Sequence, residues 1–212
     1  MRPAPRSAAP FVPPQDDLEA LRAAAAVCKG CDLYLRGTQT VFGQGPAGAR
    51  LLLIGEQPGD QEDLAGRPFI GPAGQLLDEA LARAGIARRE VYVTNAVKHF
   101  KWEPRGPRRL HKAPSAGEIA ACRPWFEAEV RATRPRALVC LGVTAARAVF
   151  ARSVRLGEVR GGPHESPLGV PTFATIHPAA ILRVPERSMQ DAEFARLVDD
   201  LRAAALAGGR DD

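Results

Sequence analysis

The sequence predicts an α/β fold, a parallel sheet with helices on both faces, and three observations carry that reading. Short β-branched or leucine-rich runs alternate with alanine-rich amphipathic segments, the pattern of repeated strand–helix units. Several strand runs lead directly into polar, chemistry-bearing residues, and open α/β sheets place ligands at the carboxyl ends of their strands. The chain has 212 residues, 45% of them hydrophobic. That is enough to bury a core without disulfide staples, and it excludes a disordered chain.

Residues 1–16 hold five prolines and little apolar periodicity, which predicts a flexible tail. A single domain is expected over 17–207, with 208–212 frayed. Strands are predicted at Leu51–Ile54, Val91–Asn95, Ala137–Leu141 and Thr172–Ile176. Helices are predicted at Asp17–Val27, Pro72–Ala84, Ala116–Thr133, Thr144–Ala151 and Asp191–Ala207. In the second helix Leu76, Leu77, Ala80, Leu81 and Ala84 share one face. The third opens on Ser115-x-x-Glu118, a capping box in which each side chain satisfies an orphan backbone N–H.

The strand ends carry the chemistry. Leu51–Ile54 runs into Gly55-Glu56-Gln57-Pro58-Gly59-Asp60, the second strand ends on Asn95, the third gives Gly142 and the fourth runs into His177-Pro178. On a parallel sheet these groups converge on one cleft.

The net charge of +5 is unevenly placed. Residues 88–112 contain Arg88, Arg89, Lys98, Lys101, Arg105, Arg108, Arg109 and Lys112 against two glutamates, a local +6, while the rest of the chain sums to −1. Such a strip suggests an anion partner, and nucleic acid is the obvious one. No apolar run approaches the ~20 residues that span a bilayer. The start lacks a signal peptide's apolar segment, so a cytoplasmic protein without membrane contact is expected. Four cysteines in that setting read as metal ligands or core residues. Cys28-x-x-Cys31 followed by Cys122 and Cys140 could hold zinc or an iron–sulfur cluster. Alternatively, Cys28 and Cys31 form a redox dithiol, and Cys140, between Val139 and Leu141, is a small core residue.

Taken together, Cys28-x-x-Cys31, Gly55-Glu-Gln-Pro-Gly-Asp60, Arg67-Pro-Phe-Ile-Gly-Pro-Ala-Gly74, Asn95, Arg108-Arg-Leu-His-Lys112, Cys122, Cys140 and His177-Pro-Ala-Ala-Ile-Leu-Arg183 resemble the uracil-DNA glycosylase superfamily. The resemblance is to its iron–sulfur family-4 type, and most closely to the covalent-binding UdgX branch. Gln57 and the basic insert bearing His111 point to that branch, while Pro107 departs from the lysine usual at that place. The resemblance implies a three-layer α/β/α sandwich on a four-stranded parallel sheet. It also implies a [4Fe–4S] cluster on Cys28, Cys31, Cys122 and Cys140, with zinc as the alternative.

On this resemblance the partner is uracil-containing DNA, single-stranded or with its uracil flipped out, bound by a monomer. Excision requires the base to be extruded, read by its edge and stabilised as it leaves with negative charge. Phe69 is implied to stack on the base. Asn95 can donate and accept, matching uracil's O4/N3–H edge and not cytosine's inverted one. His177 is implied to face uracil O2 as an oxyanion donor. Glu56 would stabilise the cationic sugar or accept a proton. Gln57, Asp60 and Arg109 would complete the substrate site, and Arg108 and Lys112 would hold phosphates. His111 would attack C1′ of the sugar, leaving protein joined to DNA. A conventional hydrolase that turns over with a Glu56- or Asp60-directed water, and a non-catalytic metal-stapled nucleic-acid-binding module, are the competing readings. His99 and His164 receive no role.

Overall fold

The structure is a computed structural model that describes residues 7–209. In chain order it contains α1 (Leu18–Ala25), β1 (Leu51–Gly55), α2 (Asp60–Ala65), α3 (Pro72–Ala84), β2 (Val91–Asn95), β3 (Trp102–Arg105), β4 (Arg108–His111) and α4 (Ala116–Thr133). These are followed by β5 (Ala137–Leu141), α5 (Val143–Phe150), α6 (Leu156–Val159), β6 (Thr172–Thr175), α7 (Pro178–Ile181) and α8 (Arg187–Ala207). The main sheet has the order β2-β1-β5-β6 with every pairing parallel, and β3 pairs antiparallel with β4 in a separate hairpin.

Strand alternation divides the core into two layers. Leu51, Leu53, Val91, Val93, Val139 and Leu141 face α3 and α8, where Leu77, Leu81, Leu197 and Leu201 meet them. Leu52, Ile54, Tyr92, Leu138 and Cys140 pack on the opposite layer with Phe126, Ala145 and Val149 from α4 and α5. Successive strand residues point to opposite faces, so a sheet covered on both sides needs continuously apolar strands. A third cluster joins α1 to α4 through Leu21, Ala25, Trp125 and Ala128, with Cys28, Cys31 and Cys122 at its end.

The predicted elements stand: Val91–Asn95, Ala137–Leu141, Pro72–Ala84 and Ala116–Thr133 coincide with the expectation, and the other boundaries move by at most four residues. Asp17 is the N-cap of α1, accepting from the Ala20 N–H at 2.8 Å, and the Ser115/Glu118 capping box opens α4. The flexible tail is corrected within the described residues. Ala8 is buried, and its N–H donates to the Ala121 carbonyl at 2.7 Å. A Cβ on Gly30 would lie 2.7 Å from Ala8 Cα, so the arm lies directly on the Cys28–Cys31 loop. Residues 1–6 and 210–212, the rest of the two predicted loose ends, lie outside the described residues.

The β3–β4 hairpin, absent from the sequence expectation, turns on Gly106 (φ +56°) and Pro107 between the paired Arg105 and Arg108. A left-handed glycine followed by a residue of fixed negative φ suits a two-residue hairpin turn. Pro107 is therefore accommodated within the turn itself.

Candidate active site

The carboxyl ends of β1, β2, β5 and β6 open into one cleft of about 640 Å³ lined by Glu56, Phe69, Asn95, His111, Gly142, Thr144, His177 and Arg183 among others. β1 lies between β2 and β5, so the chain leaves it in opposite directions, the place where doubly wound sheets bind ligands. The approach of these groups depends on glycine. A Cβ on Gly55 would sit 2.4 Å from Asn95 Oδ1 and 2.6 Å from Phe69 Cζ, and one on Gly74 would lie 1.9 Å from the Phe69 carbonyl oxygen. Phe69 itself is held at φ 55°, a conformation an L side chain enters only under tertiary constraint. Its ring stacks on His177 at 6.2 Å between centroids. Asn95 is buried at the end of β2, and its side-chain amide has no hydrogen-bond partner among the described residues.

His177 caps α7, its Nδ1 accepting from the Ala179 N–H at 3.1 Å. The lone pair is thus on Nδ1 and the neutral ring carries its proton on Nε2. Burial, reinforced by Arg183 and His111, lowers its pKa to about 4, so at neutral pH it is an uncharged N–H donor. The expected titration follows. Protonation of this ring favours the unfolded chain, so its contribution to stability is complete above pH ~6.5. That contribution falls as pH drops from there towards about 4. Imidazole nitrogen NMR should show His177 neutral at pH 6, whereas a charged ring at that pH would contradict this reading.

Glu56 faces His111 across the cleft, with Oε1 3.3 Å from His111 Nε2. Its other oxygen accepts from Thr144 Oγ1 at 2.5 Å. Burial lowers the His111 pKa below the usual histidine value, against the pull of Glu56 and with help from Arg183. Gln57 lines the cleft, and its amide is turned to the hairpin. Its Nε2 donates to the Lys101 and Lys112 carbonyls at 3.2 and 3.0 Å, and its Oε1 accepts from the Lys101 N–H at 3.1 Å. The amide thereby clamps both feet of β3–β4 and fixes where His111 stands.

Asp60 and Arg109 do not line the cleft. The Arg109 guanidinium bonds Asp60 Oδ1 at 2.5 Å and the buried Asp63 at 2.6 Å, and lies over the rings of Phe100 and Trp102. Both residues, expected at the substrate, anchor the hairpin to α2. The basic strip changes meaning in the same way. Lys98 pairs with Glu129, Lys101 with Glu118, Lys112 with Glu103 and Arg88 with Asp78. Among the described residues, Arg105 and Arg108 of this stretch have no ion-pair partner. Lys98, Lys101, Arg88 and Arg109 are thus paired with acids outside the strip, while Glu103 belongs to the strip itself.

The profile of the uracil-DNA glycosylase superfamily matches residues 42–202, which include every cleft residue named above. The chain belongs to the uracil-DNA glycosylase superfamily. It is 36% identical over 176 residues to the type-4 uracil-DNA glycosylase of Pyrobaculum aerophilum, covering 80% of this chain and 86% of that one. To the type-4 enzyme of Thermotoga maritima it is 38% identical over 157 residues, covering 74% and 78%. A type-5 uracil-DNA glycosylase of Pyrobaculum aerophilum is 30% identical over 153 residues, 65% of this chain and 64% of that one.

The cysteines of this uracil-DNA glycosylase superfamily member do not form one group. Cys28, Cys31 and Cys122 line a small cavity of about 10 Å³, together with Lys98, His99 and Trp125. Cys140 sits in mid-sheet between Ile54 and Ala174, packed in the layer under α4 and α5. The ligand set expected from the resemblance is corrected at this position. Periodicity in an apolar strand commits Cys140 to the core, as its Val139 and Leu141 neighbours suggest.

Three cleft features of this superfamily member went unassigned in the sequence. Glu62 accepts from the Gly59, Ile70 and Gly71 N–H groups at 3.1, 3.0 and 2.7 Å, tying the loop after β1 to the loop carrying Phe69. Its place three residues after Gly59 was the available signal. Thr144 holds Glu56, and only the convergence of β1 and β5 reveals that. Arg183 was visible as the end of the His177 motif, but its effect on both cleft histidines depends on the turn of α7.

Proposed function

We propose that this chain excises uracil from DNA by cleaving the N-glycosidic bond, as a turnover glycosylase of the type-4 kind. The observation that carries the reading is the meeting of Asn95, Phe69, His177 and Glu56 in one cleft. Asn95 offers an unpartnered amide to the O4/N3–H edge of an extruded uracil. Phe69 supplies an apolar face for the ring. The Nε2–H of neutral His177 stabilises the negative charge that develops on uracil O2 as the bond breaks. Glu56, as carboxylate, stabilises the cationic sugar and accepts the proton of the water that attacks C1′. The substrate is uracil in single-stranded DNA or flipped from a duplex, bound by a monomer. Among the described residues no helix is long and apolar enough to cross a membrane.

Cys28, Cys31 and Cys122 are proposed to bind an iron–sulfur cluster. Burial pushes the Cys122 thiol up to about 12, so it ionises only against a cation. Sulfur-directed donors are already in place. Gly30 N–H and Trp125 Nε1–H point at Cys28 Sγ at 3.4 and 3.2 Å, and Lys98 N–H at Cys122 Sγ at 3.3 Å. Among the described residues no three His, Cys, Asp or Glu side chains converge on a single ion; it is the type-4 relatives and the sulfur-directed donors that support a cluster here. The group is structural: it tethers the Cys28–Cys31 loop after α1 to α4.

A second reading, capture of the sugar by His111, is favoured by the 3.3 Å contact between His111 Nε2 and Glu56. In that reaction the unprotonated imidazole nitrogen bonds to C1′ as uracil departs, and the N–H facing Glu56 passes its proton to the carboxylate. An oligonucleotide bearing one uracil separates the outcomes. Alkali-labile abasic product in molar excess over protein supports turnover, and a stoichiometric complex surviving hot SDS, lost in His111→Ser, supports capture. Unchanged DNA with wild-type protein overturns both.

A further inference from the structure

We infer that Thr175, Asp200 and Arg160 are positioning residues for His177: their buried network fixes the exit from β6, and with it the place of the His177 N–H in the cleft. The inference rests on the reading of His177 above as the donor to uracil O2.

Thr175 is the last residue of β6, two before His177, and is fully buried. Its carbonyl accepts from the Gly142 N–H at 2.8 Å, and its hydroxyl donates to Asp200 Oδ2 at 2.5 Å. Arg160 Nε donates to that same carboxylate oxygen at 2.9 Å, and Arg160 Nη1 donates to Glu193 Oε2 at 2.8 Å. One guanidinium therefore holds two acids of α8. Arg160 also ends α6: its N–H donates to the Leu156 carbonyl at 2.9 Å, and its backbone bridges to Ala174 of β6. Leu156 at the start of α6 lines the cleft, as do Ile176 and His177 after β6. Two walls of the cleft are thus set against α8 through one ion-paired group.

The network is poorly built for stability alone. Arg160 Nη2 is buried and has no hydrogen-bond partner among the described residues, and apolar side chains of similar volume hold such a seam as well as a buried ion pair does. What the network supplies is direction, because forked, charge-assisted hydrogen bonds fix angles that apolar contact leaves free. Direction matters at this place. A Cβ on Gly142 would lie 3.0 Å from His177 Cβ, so the histidine backs closely onto the exit of β5. On its other side the Ala179 N–H holds Nδ1. The α7 cap sets the rotation of the ring, and Thr175 sets the backbone from which the ring leaves the sheet.

The test uses the whole protein. Thr175→Val removes the hydroxyl while keeping shape and burial. An oxyanion donor acts in the transition state, and misplacing a reacting group by about 1 Å costs on the order of 10²-fold. Thr175→Val is therefore expected to lower kcat for uracil excision by about 10–10²-fold with KM unchanged, and Thr175→Ser, which keeps the hydroxyl, should restore it. Arg160→Lys keeps the charge but cannot fork to both acids, and should lower kcat in the same way. Imidazole nitrogen NMR of the DNA-free protein gives a second readout: wild type and Thr175→Ser should show Nε2 protonated and Nδ1 bare, whereas Thr175→Val and Arg160→Lys should shift towards a mixture of tautomers. Urea denaturation checks that each variant is folded. Wild-type kcat and wild-type nitrogen signals in both Thr175→Val and Arg160→Lys would overturn the inference. So would a loss confined to KM or to stability with unchanged nitrogen signals, the mark of a merely structural role. If the wild type excises no uracil, the glycosylase reading fails by itself, and the nitrogen spectra still decide whether this network places His177.

Discussion

Glu56→Gln is expected to lower the rate of uracil excision by about 10²–10⁴-fold, the range a positioned acid–base group supplies, while affinity for uracil-containing DNA stays close to that of wild type. The substitution is nearly isosteric, and an amide oxygen can still accept from Thr144 Oγ1, so the loop after β1 should keep its shape. What disappears is the negative charge beside the sugar and the capacity to take a proton. His111, 3.3 Å away, loses its anionic partner at the same time, so the capture reaction should fail together with hydrolysis. Single-turnover excision measured alongside equilibrium binding distinguishes chemistry from architecture. Equal losses in rate and affinity would reassign Glu56 to holding the loop.

Lys98→Ala is expected to destabilise the fold by about 3–5 kcal/mol, the cost of leaving a buried partner charge uncompensated. The Lys98 and Glu129 side chains are 1% and 0% exposed. Glu129 also accepts from the Gly43 N–H at 2.9 Å, the Tyr92 hydroxyl at 3.0 Å and the Thr94 hydroxyl, and burial together with Glu129 keeps Tyr92 protonated as a donor. Lys98 further donates to the Asn95 carbonyl at 2.8 Å, so one ammonium group supports both the core and the base-reading strand end. Urea denaturation measures the loss. The double variant Lys98→Met/Glu129→Gln should recover much of it, because the amide oxygen still serves Gly43 and Tyr92 without a stranded charge. A single variant as stable as wild type would show that this pair is replaceable by water.

The sheet was legible because its signal is local. Strands buried on both faces must be continuously apolar, and β1, β2, β5 and β6 all appear as such runs in the sequence. The hairpin was not legible: Trp102-Glu-Pro-Arg and Arg108-Arg-Leu-His have no apolar alternation, since neither face of β3–β4 is buried in a core. Gln57 and the Arg109–Asp60–Asp63 cluster hold it in place, and those partners lie some 45 residues or more away.

The sequence by itself determined the doubly wound α/β class, the strand ends that carry Glu56, Asn95 and His177, and the kind of chemistry those residue types can do. These follow from short-range periodicity and from side-chain chemistry, which need no knowledge of neighbours. Only the tertiary structure decided that the basic strip is mostly paired, that Gln57, Asp60 and Arg109 hold the hairpin, and that His99 stands with three cysteines where Cys140 does not. Charge and ligation depend on distances of a few ångströms between residues far apart in the chain. Composition along the sequence is blind to those distances until the sheet brings the residues together.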